Sequence, residues 1–294
     1  HVVCRRQRQM CIRDSHILDT GSGDVIRREE DGKQTVIATL STGLDNFAFD
    51  DADNLFVSSY ADGFISKVTS SGEEEILPGG ISHPGALVIH NDTVVIADIQ
   101  SVRAIDAATG EDIWTLRNIF QFAPIGTATA VSNHGPDLLL TSWLDNSVKV
   151  LNPTSGEITL SLTGLNIPVS AVKFGDQYAV TLHGDNTLSL FNDDGSLVSV
   201  LSDDFGAPTH VITEDDRLLV SDRVRGEIVS IDEAGKKTVL LDGLDSPEGI
   251  AVSGSTLYIY EGDTGEIKRH DASGTEVIAT CLLYTSDAAD DIPR

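Results

Sequence analysis

The sequence predicts an all-β fold, a β-propeller of four-stranded blades with six complete units and one truncated unit. Three observations predict it. Segments of similar pattern recur about every 40 residues. Each segment holds four short β-rich runs, separated by polar or Gly-containing turns. No window carries the periodicity of a long amphipathic helix. Four strands per repeat of this length is the spacing of propeller blades, which bury their faces against one another.

The elements follow in order. The stretch HILDTGSGDVIRREEDGKQTVIATL (16–40) matches the last three-quarters of a unit, so 16–42 reads as a truncated first blade without its inner strand and most of its second. Complete units begin near 43, 81, 126, 166, 206 and 245. TGLDNFAFDDADNLFVSSYADGFISKV (42–68) shows the pattern: an apolar run, a polar turn, and a second apolar run ending in a polar cluster. A third run, a Gly-containing turn such as TSGE or EAGK, and a fourth strand such as EITLSL then close each unit. Inner runs are continuously apolar, as strands buried on both faces must be, and outer runs alternate. Seven blades is the expected count; six, with strand exchange at closure, is the alternative.

The two ends read differently. RRQRQMCIRD (5–14) and CLLYTSDAAD (281–290) back-translate to the same DNA on opposite strands, and that DNA resembles a sequencing-library adapter. Residues 1–15 and 281–294 are therefore expected to be adapter-derived, leaving 16–280 as the propeller. All three cysteines (Cys4, Cys11, Cys281) and the only methionine (Met10) fall in those ends. A disulfide or zinc-cysteine reading would rest on them alone. Residues 16–280 hold fifteen Lys and Arg against forty-two Asp and Glu, a net charge of −27. So acidic a surface is a poor partner for nucleic acid. No apolar run approaches the roughly 18 residues of a membrane span. The absence of cysteine from 16–280 favours an exported protein, periplasmic or extracellular.

The segment GLDSPEGIAVSGSTLYIYEGDTGEIKRHDASG (243–274) resembles the units of NHL-repeat and senescence-marker-protein/gluconolactonase propellers. The shared pattern is Pro-x-Gly-hydrophobic-Ala-hydrophobic, a Leu-Tyr-hydrophobic strand and an Asp-containing turn. The gluconolactonase resemblance implies one divalent cation (Ca, Mn or Zn) held by a Glu, an Asn and an Asp at inner-strand starts. Glu248 in SPEG matches the Glu, and Asn46 or Asp45 in LDN could supply a second ligand. The family's Pro-Asn-Gly segment has no counterpart: the positions read HPG (83–85), PVS (168–170) and PTH (208–210). A second, local resemblance lies in AIDAATGEDIWTL (104–116), which is similar to one repeat of quinone-dependent dehydrogenase propellers. The cofactor residues of those enzymes are not found, so Trp114 reads as packing between blades.

Function in a propeller collects on the face where inner strands begin and where second-to-third strand turns lie. There the sequence offers Asp45, Asn46, His83, His210 and Glu248 at strand starts, and Tyr60, Asp98, Trp143, His183 and Asp222 at turns. Carboxylates and imidazoles converging on one axis suit a hard cation or a polyhydroxylated ligand. His210 is the candidate proton carrier if a metal polarises a lactone. There is no G-x-S-x-G elbow and no phosphate loop of the P-loop type. The expected function is a ligand- or protein-binding propeller using this loop face, its partner a small molecule or a protein. The alternative is a metal-dependent lactonase.

Overall fold

The structure, a computed structural model, describes residues 15–29, 32–69, 72–77, 79–117, 128 and 130–280. The unit start expected near 126 lies outside the described residues, as do 1–14 and 281–294 of the two ends. Among the described residues there are seven antiparallel sheets, six of four strands and one of three. We number them blades I to VII, spanning 15–39, 44–77, 87–117, 130–163, 168–202, 208–241 and 247–280. Strand order within each sheet follows the chain, as expected for blades built from successive hairpins. Blade I contains Ser15–Asp19, Asp24–Arg28 and Gln34–Thr39. The seven-blade expectation holds; the six-blade alternative does not.

Burial follows strand position. Leu55–Ser59 and Ser147–Leu151 are buried at every residue, being covered on both faces by neighbouring blades. The outermost strands, such as Leu197–Ser202, are largely exposed. The core is accordingly a ring of interfaces without a single centre. Each of the seven blade junctions has its own apolar cluster. Phe47, Leu55 and Val57 meet Leu18 and Val25 between blades II and I. Ile267 and Ile278 meet Ile17 between blades VII and I, and the Gln34 side chain donates to the Ile278 carbonyl at 3.3 Å. That junction closes the ring, which protects sheet faces that an open array would expose.

Trp114 joins blades III and IV. It packs on the cluster of that junction, and its Nε1 donates to the Pro153 carbonyl at 2.8 Å. Gly156, at φ +73°, lies so close that a Cβ would sit 2.8 Å from the indole. A comparable contact joins blades II and III. Gly110 has φ +72°, and a Cβ there would come within 1.9 Å of the Ile76 carbonyl oxygen. Both the left-handed backbone and the close approach require glycine. Gly110→Ala is expected to lower unfolding stability by about 3 kcal/mol, read as a reduced urea midpoint with an unchanged slope.

Candidate functional site

Four inner strands carry a register irregularity where they enter the channel. The shifts fall between Leu44 and Asn46, Pro168 and Ser170, Pro208 and Val211, and Pro247 and Gly249. The residues left unpaired are Asp45, Val169, Thr209 with His210, and Glu248. An extra residue in one strand breaks the in-out alternation and re-aims its side chain. Those five residues all line one cavity of about 420 Å³, together with Asn46, Trp143, Tyr258 and Tyr260.

A bulge also strands backbone donors, which must find partners when buried. Hydroxyls on the second strand supply them. Ser58 Oγ accepts from Asn46 N–H at 3.1 Å, Thr181 Oγ1 from Ser170 N–H at 3.1 Å, and Ser221 Oγ from His210 N–H at 3.1 Å. Ser58, Thr181 and Ser221 are fully buried. The recurring Ser or Thr near the end of the second strand was the available signal for these bulges; only the register gives it meaning.

Of the residues expected on this face, the structure brings Asp45, Asn46, Trp143, His210 and Glu248 to the cavity. Tyr60, His83, Asp98, His183 and Asp222 do not line it. Tyr60 and His83 form an edge-to-face pair with centroids 4.8 Å apart. His183 is half-buried; burial, and then the nearby Arg223 charge, hold its imidazole below the usual pKa. Asp98 and Asp222 are buried turn braces. Asp98 accepts from the N–H groups of Gln100 and Ser101, both at 2.6 Å. Asp222 accepts from Gly206 N–H at 2.8 Å and Ala207 N–H at 2.9 Å. Their carboxylates satisfy backbone donors of the adjoining turns. Glu261, at the same blade position, is held likewise by Asp245 N–H at 2.9 Å and Lys268 Nζ at 2.6 Å. The sequence reading missed Tyr258 and Tyr260, which alternate along Thr256–Glu261 and line the cavity.

The charges in the cavity are set by burial. His210 accepts a hydrogen bond on Nδ1 from Ile250 N–H at 3.1 Å, so its remaining proton sits on Nε2. Burial lowers its pKa to about 4, leaving a neutral donor at neutral pH. Glu248 lies with Oε1 3.5 Å from Arg223 Nε, and Arg223 also faces Asp263 at 3.9 Å. Burial raises the Glu248 pKa, against the opposing pull of Arg223. Burial raises that of Asp45 as well.

Among the described residues, no group of three or more His, Cys, Asp and Glu is placed to hold a metal ion. Glu248 faces a guanidinium, and Asn46 Oδ1 accepts the Phe47 N–H at 2.8 Å. The donors present therefore do not fit the divalent-cation site that the gluconolactonase resemblance implies, and no step is derived through one.

The bulge-lined cavity in a seven-bladed ring defines a class, a propeller with a channel site. The chain matches no protein-family model and no curated protein. Solved structures are similar in fold. Virginiamycin B lyase from Staphylococcus aureus superposes with a TM-score of 0.70 at 15% identity, covering 85% of this chain and 89% of that one. A catalytically inactive form of that enzyme with quinupristin gives 0.71 at 13% identity, covering 88% and 94%. A chain of a nidogen/laminin complex gives 0.55 at 19% identity, covering 75% and 89%. At these identities the likeness shows the fold, which hosts an enzyme in one case and a protein complex in the other. Among the described residues, no helix is long and apolar enough to cross a membrane.

Proposed function

We propose that the chain is a binding propeller that takes a small molecule in its channel cavity. The observation that carries this reading is the convergence of the bulged residues of four blades on one space of about 420 Å³. That volume lies in the range of ligand pockets, and its wall is mostly apolar with a few directed polar groups. The gluconolactonase alternative keeps Glu248 in the cavity, but among the described residues no group of three or more His, Cys, Asp and Glu surrounds a metal position. Protein docking on the rim has a specific observation in its favour. Tyr60, Ile99, Leu144 and Val224 are exposed at second-to-third strand turns.

Trp143 makes the cavity testable. It is one of two tryptophans, and Trp114→Phe leaves it as the sole reporter. A panel of sugars, amino acids, carboxylic acids and quaternary ammonium compounds is titrated against that variant. At least one class is expected to shift Trp143 emission. Val169→Phe, which fills the cavity from a bulge, is expected to weaken that binding at least ten-fold with little change in melting temperature. No response from any class, or a response indifferent to Val169→Phe, rules the reading out.

A further inference from the structure

We propose that the outermost strand of blade V pairs with the same strand of a second copy, joining two chains edge to edge about a two-fold axis at Ser199. This strand lies at the opposite end of its sheet from the channel, so the inference is independent of the cavity. Three features carry it. The first is the sequence of the strand. Residues 196–202 read Ser-Leu-Val-Ser-Val-Leu-Ser, the same in both directions about Ser199. Antiparallel partners run in opposite directions. A two-fold axis at Ser199 therefore sets Ser196 opposite Ser202, Leu197 opposite Leu201, and Val198 opposite Val200 of the other copy. Matched side chains across a ladder are the unit of sheet stabilisation. A two-fold interface must be self-complementary, and this reversible sequence meets that demand residue by residue.

The second feature is exposure. Leu197–Ser202 ends its sheet, so one side of its backbone has no partner strand among the described residues. Leu197, Val198 and Val200 are 56%, 43% and 47% exposed. On the inner side, Val198 and Leu201 have no register partner in Thr187–Phe191. Edge strands are commonly guarded by charged side chains. The outermost strands of blades VI and VII carry Lys237 and Glu276. No charged residue lies between Gly195 and Ser202.

The third feature is the charge at the two ends. Asp193 and Asp194 precede the strand, and Asp203 and Asp204 follow it. Pairing about Ser199 brings Asp194 of one copy to Asp204 of the other. Asp204 is already held by Arg225 at 2.5 Å and Lys237 at 3.7 Å. Asp193 is held by Lys173 at 3.1 Å, and Asp194 forms no ion pair among the described residues. Two cations thus stand where the incoming Asp194 arrives. The contact is small: seven residues span about 24 Å, a strip well under the roughly 800 Å² per partner of a standard interface. Each chain also carries a net charge of −26. The dimer is therefore weak and depends on concentration.

Sedimentation equilibrium between about 10 μM and about 1 mM protein, the range of weak interfaces, tests the pairing. The wild-type mass is expected to climb from that of the monomer towards twice that value. Val198→Lys and Val200→Glu are each expected to weaken the dimer about ten-fold, and Val36→Lys, on the exposed outermost strand of blade I, to leave it unchanged. Residue 198 meets residue 200 of the other copy, so the double variant Val198→Lys/Val200→Glu opposes Lys to Glu twice. It is expected to regain the wild-type dimer. All these sites are exposed, so thermal unfolding of each variant should match the wild type. A chain that stays monomeric throughout, or a dimer indifferent to Val198→Lys, overturns the proposal. So does equal loss with Val36→Lys, or a double variant that fails to recover although it melts like the wild type.

Discussion

Asp222→Ala is expected to lower the melting temperature at pH 7 by about 10 °C. The side chain is fully buried. It accepts from Gly206 N–H at 2.8 Å, Ala207 N–H at 2.9 Å and Arg225 N–H at 3.2 Å, and its charge lies 3.8 Å from Arg225 Nε. Removing it strands several donors at the entrance of blade VI. The loss is about 3–5 kcal/mol, the range for breaking a buried, charge-assisted network. A domain of this size loses about 2–4 °C per kcal/mol. Asp222→Asn keeps the volume but turns an amide N–H₂ towards a donor, so a smaller loss is expected. Thermal unfolding followed by circular dichroism decides the matter. A ligand-binding carboxylate removed from an open site would leave the melting temperature almost unchanged, and that result would return Asp222 to the functional face.

His210 is expected to make the fold acid-sensitive. In the unfolded chain its imidazole takes a proton near the ordinary histidine value of about 6.5; in the fold, burial delays this to about 4. Between those values the unfolded state binds more protons, so acid favours unfolding. The stability is fully present above 6.5 and is lost as pH falls through about 4. It amounts to about 3 kcal/mol at 1.36 kcal/mol per unit. Asp45 and Glu248 act in the opposite sense. Their raised values mean that the folded state holds protons longer, so they favour the fold as pH falls. Comparison with His210→Asn isolates the histidine, since the Asn oxygen can still accept from Ile250 N–H. Urea unfolding at pH 7 and pH 4 should show wild type losing about 3 kcal/mol more than the variant between the two. Equal losses would show that the imidazole is not held neutral by the fold.

Much of the architecture could be read from residue pattern. The 40-residue recurrence, the apolar inner runs and the Gly-containing turns foretell sheets of four strands, because each blade repeats the same local choices. The packing of Trp114 between blades was also legible, since one tryptophan on an outer strand has nowhere else to bury its ring. The site was legible only in part. Asp45, Asn46, Trp143, His210 and Glu248 reach the cavity, whereas Asp98 and Asp222 do not, although all occupy strand starts or turns on the same face. The difference lies in what each carboxylate meets. Backbone N–H groups surround Asp98 and Asp222, whereas Asp45 and Glu248 line the cavity.

What the sequence determined by itself is the kind of fold, the repeat and the strong negative charge. These follow from local composition and periodicity, which act over a few residues at a time. What only the tertiary structure decided is the direction of side chains at the blade entrances. One extra residue at each entrance, leaving Asp45, Val169, Thr209 with His210, or Glu248 unpaired, shifts the register, and the alternation of a strand then reverses. Such a bulge forms because a neighbouring strand offers a buried hydroxyl, as Ser58, Thr181 and Ser221 do, to the donor it leaves unpaired. That pairing joins residues separated by ten or more positions, so it exists only once the blade has folded.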